Sequence, residues 1–122
     1  MPERIQRFED LNVWKESVKL AIDIYKTLRQ SKDFGLRDHI QRSVVSVPSN
    51  IAEGFERHSN KEFIQFLYIA KASCAELRTQ LYIAKEVAMI DKKKGEEFLE
   101  STRKISAMLF SLIKNRKDKF RS

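Results

Sequence analysis

His39, His58, Cys74, the serines Ser43, Ser46 and Ser49, and two lysine-rich clusters are the residues of this chain whose types could do chemistry. The three serines follow His39 along one stretch, which raises the question of nucleophilic catalysis. That chemistry needs a base within hydrogen-bond reach of the nucleophile and a third group to orient the base, and no spacing here supplies both. Metal chemistry finds no better support, because neither histidine has a cysteine or carboxylate at ligand spacing. A diiron bundle needs Glu-x-x-His on facing helices, whereas Leu36 and Phe55 stand three residues before the two histidines. Glycine-rich phosphate loops and a nucleophile elbow are also missing. Cys74 falls on a helical apolar stripe, where a free thiol acts as a small buried hydrophobe, and a single cysteine forms no internal disulfide. The expectations are a protein that is not an enzyme, with no metal and no cofactor.

What remains is charge. The 122 residues carry a formal net charge of +7, and the excess is uneven. Residues 1–90 hold 14 basic against 12 acidic side chains, and residues 91–122 hold 10 against 5. Lys92, Lys93 and Lys94 form one cluster; Lys114, Arg116, Lys117, Lys119 and Arg121 form a second at the end of the chain. Such a footprint suits polyanion binding, and these eight residues are the candidates for contact with RNA or DNA. A solvated tail whose cations complement a helix C-terminus is the plainer explanation. The polar start, and charges that interrupt every later apolar run, argue against a signal peptide or a membrane span, so a soluble cytoplasmic protein is expected.

The elements that must position these groups are helical. Three glycines, two prolines and 34% charged residues at helical spacing argue for one all-α domain of four helices, over about 8–30, 36–56, 60–90 and 92–117. Short links imply antiparallel, up-down-up-down packing. In the first helix Leu11, Trp14, Val18, Ala21 or Ile22, Tyr25 and Leu28 read as the core stripe. Val13, Leu20 and Ile24 form a flanking second row, which either a broad core or contact with another subunit accounts for. The third helix opens on a capping box, Ser59 with Glu62, and holds a near-heptad seam from Phe63 through Leu77 to Val87. Asp91 can cap the fourth, in which Phe98, Ile105 and Leu109 mark the buried side and Gly95 weakens the first turn.

Pro48 stands inside the second helical pattern, with Leu36, Ile40, Val44, Val47, Ile51 and Phe55 recurring at steps of three and four on both sides. The helix is therefore expected to continue through the proline with a kink, although an interior proline costs about 3 kcal/mol. Ser46, Ser49 and Asn50 can hydrogen-bond backbone groups freed there. Arg42, Ser46, Ser49, Asn50 and Glu53 lie away from the core stripe, with small residues at the centre and charges at the ends. Together with Val13, Leu20 and Ile24 they are the candidate surfaces for self-association, a solvated face or a binding site being the alternatives.

Gln41 to Gly54 (QRSVVSVPSNIAEG) and Ser59 to Ala70 (SNKEFIQFLYIA), with Phe8 to Trp14 (FEDLNVW) and Ala75 to Leu81 (AELRTQL), resemble the four-helix-bundle proteins encoded in bacterial 23S rRNA intervening sequences. That resemblance implies an antiparallel bundle assembling as a homopentamer. The family is in turn similar to the accessory variability proteins of diversity-generating retroelements, basic pentameric barrels that bind nucleic acid and a reverse transcriptase. Two residues depart from the pattern: Ala72 stands where glycine is expected and Arg78 where an acidic residue is usual. The function expected is a non-catalytic, oligomeric accessory protein associated with nucleic acid, the alternative being a structural or protein-interaction module.

Overall fold

The computed structural model describes residues 5–119. A short 3-10 turn, Phe8–Asp10, leads into four α-helices: α1 (Asn12–Leu28), α2 (Phe34–Phe55), α3 (Asn60–Glu86) and α4 (Lys92–Lys119). The described residues contain no strand. Three of the four helix starts follow a side-chain cap, and α1 begins after Leu11 without one. Asp33 accepts from the Leu36 amide at 3.1 Å, Ser59 from that of Glu62 at 3.1 Å, and Asp91 from that of Lys94 at 2.8 Å, each satisfying a donor the first turn leaves unpaired. α3 ends at Glu86, short of the expected residue 90, because Ala88 turns the chain with a φ of 62°. The Met89 amide then bonds the Ala84 carbonyl, and Ile90 turns back into the core.

α2 packs on α3 and α3 on α4, while α1 closes the bundle against α2 and α4. α1 and α3 are diagonal, with no close backbone approach among the described residues. Contacts between neighbours run in opposite numerical sense: Ser43 meets Glu76, Ser46 meets Ser73 and Phe55 meets Phe63, and on the other side Asn60 meets Arg116 and Lys85 meets Glu96. The core is one cluster, in which Ile24, Ile40, Ile51, Leu67, Leu77, Leu99 and Leu109 are fully enclosed. Cys74 is buried there, and its thiol donates to the Thr102 carbonyl. Burial pushes that thiol above its ordinary value, with Arg78 pulling weakly the other way.

Pro48 lies within α2, is buried, and does not end the helix. The Asn50 side chain donates to the Ser46 carbonyl at 2.8 Å and to its hydroxyl at 3.0 Å, one local compensation near the proline. Gly54, one turn further on, is a site of close approach: a Cβ there would lie 2.5 Å from the Phe66 Cβ. The absent side chain lets the end of α2 meet α3.

α1 is rotated from the orientation its sequence suggests. Val13, Leu20 and Ile24, the flanking row for which a broad core and a subunit contact are the alternatives, are core residues with 4%, 4% and 0% exposure, so they offer no surface to a second subunit. Ser17 continues that row at 1% exposure, its hydroxyl satisfied by the Trp14 carbonyl. Trp14 and Val18 are instead half-buried, and Ile22 and Tyr25 are exposed at 50% and 44%.

Candidate functional site

Among the described residues no three acidic, histidine or cysteine side chains gather as a metal site. His39 and His58 are both exposed, His39 on α2 and His58 in the turn before α3. Two of the serines near His39 are spent on packing: Ser43 donates to Glu76 Oε1 and Ser46 shares a hydrogen bond with Ser73 at 2.8 Å.

The two basic clusters do not form one patch. Lys92 to Lys94 open α4 and Lys114 to Lys119 close it, which over a 28-residue helix puts them about 30 Å apart. Lys92, Lys93, Lys114 and Lys119 are exposed, whereas Lys94 is half-buried, ion-paired with Glu97 and set over the Phe98 ring. Arg116 is a clamp more than a surface cation. Its Nε donates to Asn60 Oδ1 at 2.8 Å, the Asn60 amide donates back to the Arg116 carbonyl, and the guanidinium lies over Phe63. Burial draws the Arg116 guanidinium below its ordinary value. Arg121 lies outside the described residues.

The proposed face of α2 is also divided. Ser46 and Asn50 are half-buried and hydrogen-bond within the chain, against α3 and along α2 respectively. Arg42, Ser49 and Glu53 remain exposed, Glu53 pairing with Arg57 at 3.2 Å.

A groove between α3 and α4 combines residues that look unrelated in sequence. It is shallow and open, about 400 Å³ in volume, and is lined by Lys71, Arg78, Arg103, Ser106, Ala107, Phe110 and Ser111. Tyr82 and Tyr68 flank its two ends: Arg103 donates to the Tyr82 hydroxyl and Lys117 to the Tyr68 hydroxyl, each at 2.7 Å. Arg78 donates from Nε to the Thr102 hydroxyl at 3.1 Å and from a terminal nitrogen to the Thr102 carbonyl at 3.4 Å, which fixes its guanidinium against α4. Phe110 is 59% exposed. Helical repeat explains the convergence, since Tyr68, Lys71, Ala75, Arg78 and Tyr82 follow a 3-4-3-4 rhythm along one edge of α3, and Arg103, Phe110 and Lys117 recur every seven residues on α4. That rhythm is the signal in the sequence that would have revealed the groove.

The model of the 23S rRNA-intervening sequence protein family matches residues 9–111. The chain belongs to this family. No curated protein matches it. Among solved structures it is similar to a protein of unknown function from the S23 ribosomal protein family of Bacteroides thetaiotaomicron VPI-5482, with 29% identity and a TM-score of 0.79. That likeness covers 84% of this chain and 98% of the other. No helix of the described residues is long and apolar enough to cross a membrane.

Proposed function

We propose that this member of the 23S rRNA-intervening sequence protein family is a non-catalytic, self-associating bundle that serves as a nucleic-acid-associated accessory protein. The observation that carries the reading is the display of cations on α3 and α4: Lys71, Arg78 and Arg103 line one groove beside the exposed Phe110, and Lys117, bonded to Tyr68, continues the line with Lys114 and Lys119 exposed at the same end of α4. A polyanion is the ligand class that such a surface attracts.

Self-association is supported by two apolar rows on diagonal helices. Trp14, Val18, Ile22 and Tyr25 on α1, continued by Val45 of α2, form one; on α3 the second is broken by Glu76 and Thr79 into Ile69 with Ala72 and Ile83 with Val87. Two different patches suit a head-to-tail contact, and a ring closes if each contact turns the chain by the same angle. The homopentamer implied by the family resemblance is an assembly of that kind, and the cytoplasmic location expected from the sequence is compatible with the role.

Light scattering joined to an RNA-binding titration tests the reading. The expected result is a discrete oligomer whose affinity for RNA falls steeply with salt, and falls further when Lys114, Lys117 and Lys119 are replaced by Gln. A discrete oligomer with only weak, unsaturable RNA association would favour a structural or protein-interaction module instead.

A further inference from the structure

We propose that the α3/α4 groove is a binding site for single-stranded RNA, with Lys71, Arg78, Arg103 and Lys117 contacting phosphates and Phe110 offering a stacking surface to an unpaired base. This rests on the nucleic-acid reading above and goes beyond it by assigning the place and the kind of strand.

Electrostatics favour a polyanion along this groove. From Arg103 to Lys117 it spans 14 residues of α4, about 21 Å at the helical rise. Among the described residues the ion pair these cations make is that of Arg103 with Glu100 at 3.0 Å, whose own side chain is 76% exposed, and Glu96, itself bonded to Lys85, acts on Arg103 through space. An exposed pair of this kind is weak, so an incoming phosphate can replace the carboxylate. The hydrogen bonds that Arg103 and Lys117 make to tyrosine hydroxyls position the cations without neutralising them.

The aromatic residues decide between ligands. An acidic peptide would need only the cations, but Tyr82, Phe110 and Tyr68 mark the groove from end to end, and Phe110 makes no ring contact among the described residues. A ring exposed between cations is the arrangement that unpaired bases use, since each base has a π-face to stack. Bases of a duplex already stack on each other and cannot reach it. Ser106 and Ser111 line the same groove, so hydroxyls stand where a ribose 2′-hydroxyl can bond, and RNA is preferred to DNA. The cluster at Lys92 and Lys93 lies at the opposite end of α4 from Lys117 and is outside the site.

The test uses the intact protein, its oligomeric state checked by light scattering, and a fluorescent oligouridylate read by anisotropy across a salt series. Phe110→Ala removes an exposed ring and should leave folding intact. It is expected to weaken binding about 5- to 150-fold, the span reported for one stacked base, with the salt slope unchanged. Lys71→Gln with Arg103→Gln should lower the log–log salt slope by about 1.4, or roughly 0.7 per cation for a single strand. Lys92→Gln with Lys93→Gln should change neither. If the wild type binds but only the Lys92 and Lys93 variant is weakened, the groove assignment is wrong and the nucleic-acid reading stands. No binding by the wild type at low salt removes both. Duplex RNA or single-stranded DNA bound as tightly as single-stranded RNA contradicts the assignment as stated.

Discussion

Ile22 and Ile24 are two residues apart on α1, chemically identical, and oppositely placed: Ile22 is 50% exposed and Ile24 is 0% exposed. Replacing each by Ala therefore isolates burial from composition and helix propensity. Ile24→Ala removes three carbons from a filled core beside the other enclosed aliphatics, and sites of that kind lose about 2–5 kcal/mol through lost transfer energy and the cavity left behind. With a urea dependence of about 1–3 kcal/mol per molar, the unfolding midpoint should fall by roughly 1–2 M. Ile22→Ala should leave the stability of an isolated chain almost unchanged, because surface substitutions stay within about 0.5 kcal/mol. The dependence on protein concentration separates the roles further. The Ile24→Ala loss should be the same at every concentration, whereas an Ile22→Ala loss, if Ile22 lies between subunits, should grow as the protein is diluted. Urea unfolding followed by circular dichroism at two concentrations gives all these quantities. Equal losses for the two variants, independent of concentration, would refute the placement of α1.

Gly54→Ala should destabilise by about 1–3 kcal/mol in thermal or urea unfolding, because the new Cβ meets a Phe66 Cβ that can retreat only with its helix. Ala88→Gly should raise stability by about 1 kcal/mol, since a left-handed φ strains an alanine and suits a glycine at a helix end. The Glu16 carboxylate, bonded to Lys104 at 2.7 Å, has its pKa lowered first by that hydrogen bond. A depressed folded pKa means its stabilisation is present above the unfolded value and disappears as pH falls through the folded one. Glu16→Gln should therefore cost a small amount near pH 7, about 0.2–1 kcal/mol for an exposed pair, and nothing at pH 2.

The helices and most of the core were legible because their patterns allow one orientation. α3 shows this: the capping box at Ser59 sets its start, and one seam through Phe63, Leu67, Ala70, Cys74 and Leu77 is apolar. α1 carries two apolar rows side by side, so periodicity alone cannot orient it. Trp14 and Tyr25 drew the stripe toward the wrong row, and Ser17 disguised the right one, although its hydroxyl is satisfied by the helix's own backbone. The family motif around Pro48 was readable in sequence, as was the passage of α2 through it. The groove was not, because Lys71 and Arg78 on α3 and Arg103 and Phe110 on α4 come from distant segments, and each alone resembles a solvated surface residue. Arg116 belongs to a basic run in sequence and also ends the apolar stripe of the fourth helix, and it is the second position that shows in the fold, where Asn60 and Phe63 hold it against the bundle.

The salt dependence of single-stranded RNA binding by the unaltered protein tests the central claim most directly. Four phosphate contacts, one for each of Lys71, Arg78, Arg103 and Lys117, imply a log–log slope of about −2.8, so affinity should fall roughly 50-fold between about 50 and 200 mM salt. Binding that is absent at 50 mM, or that persists unchanged at 200 mM, would contradict the account.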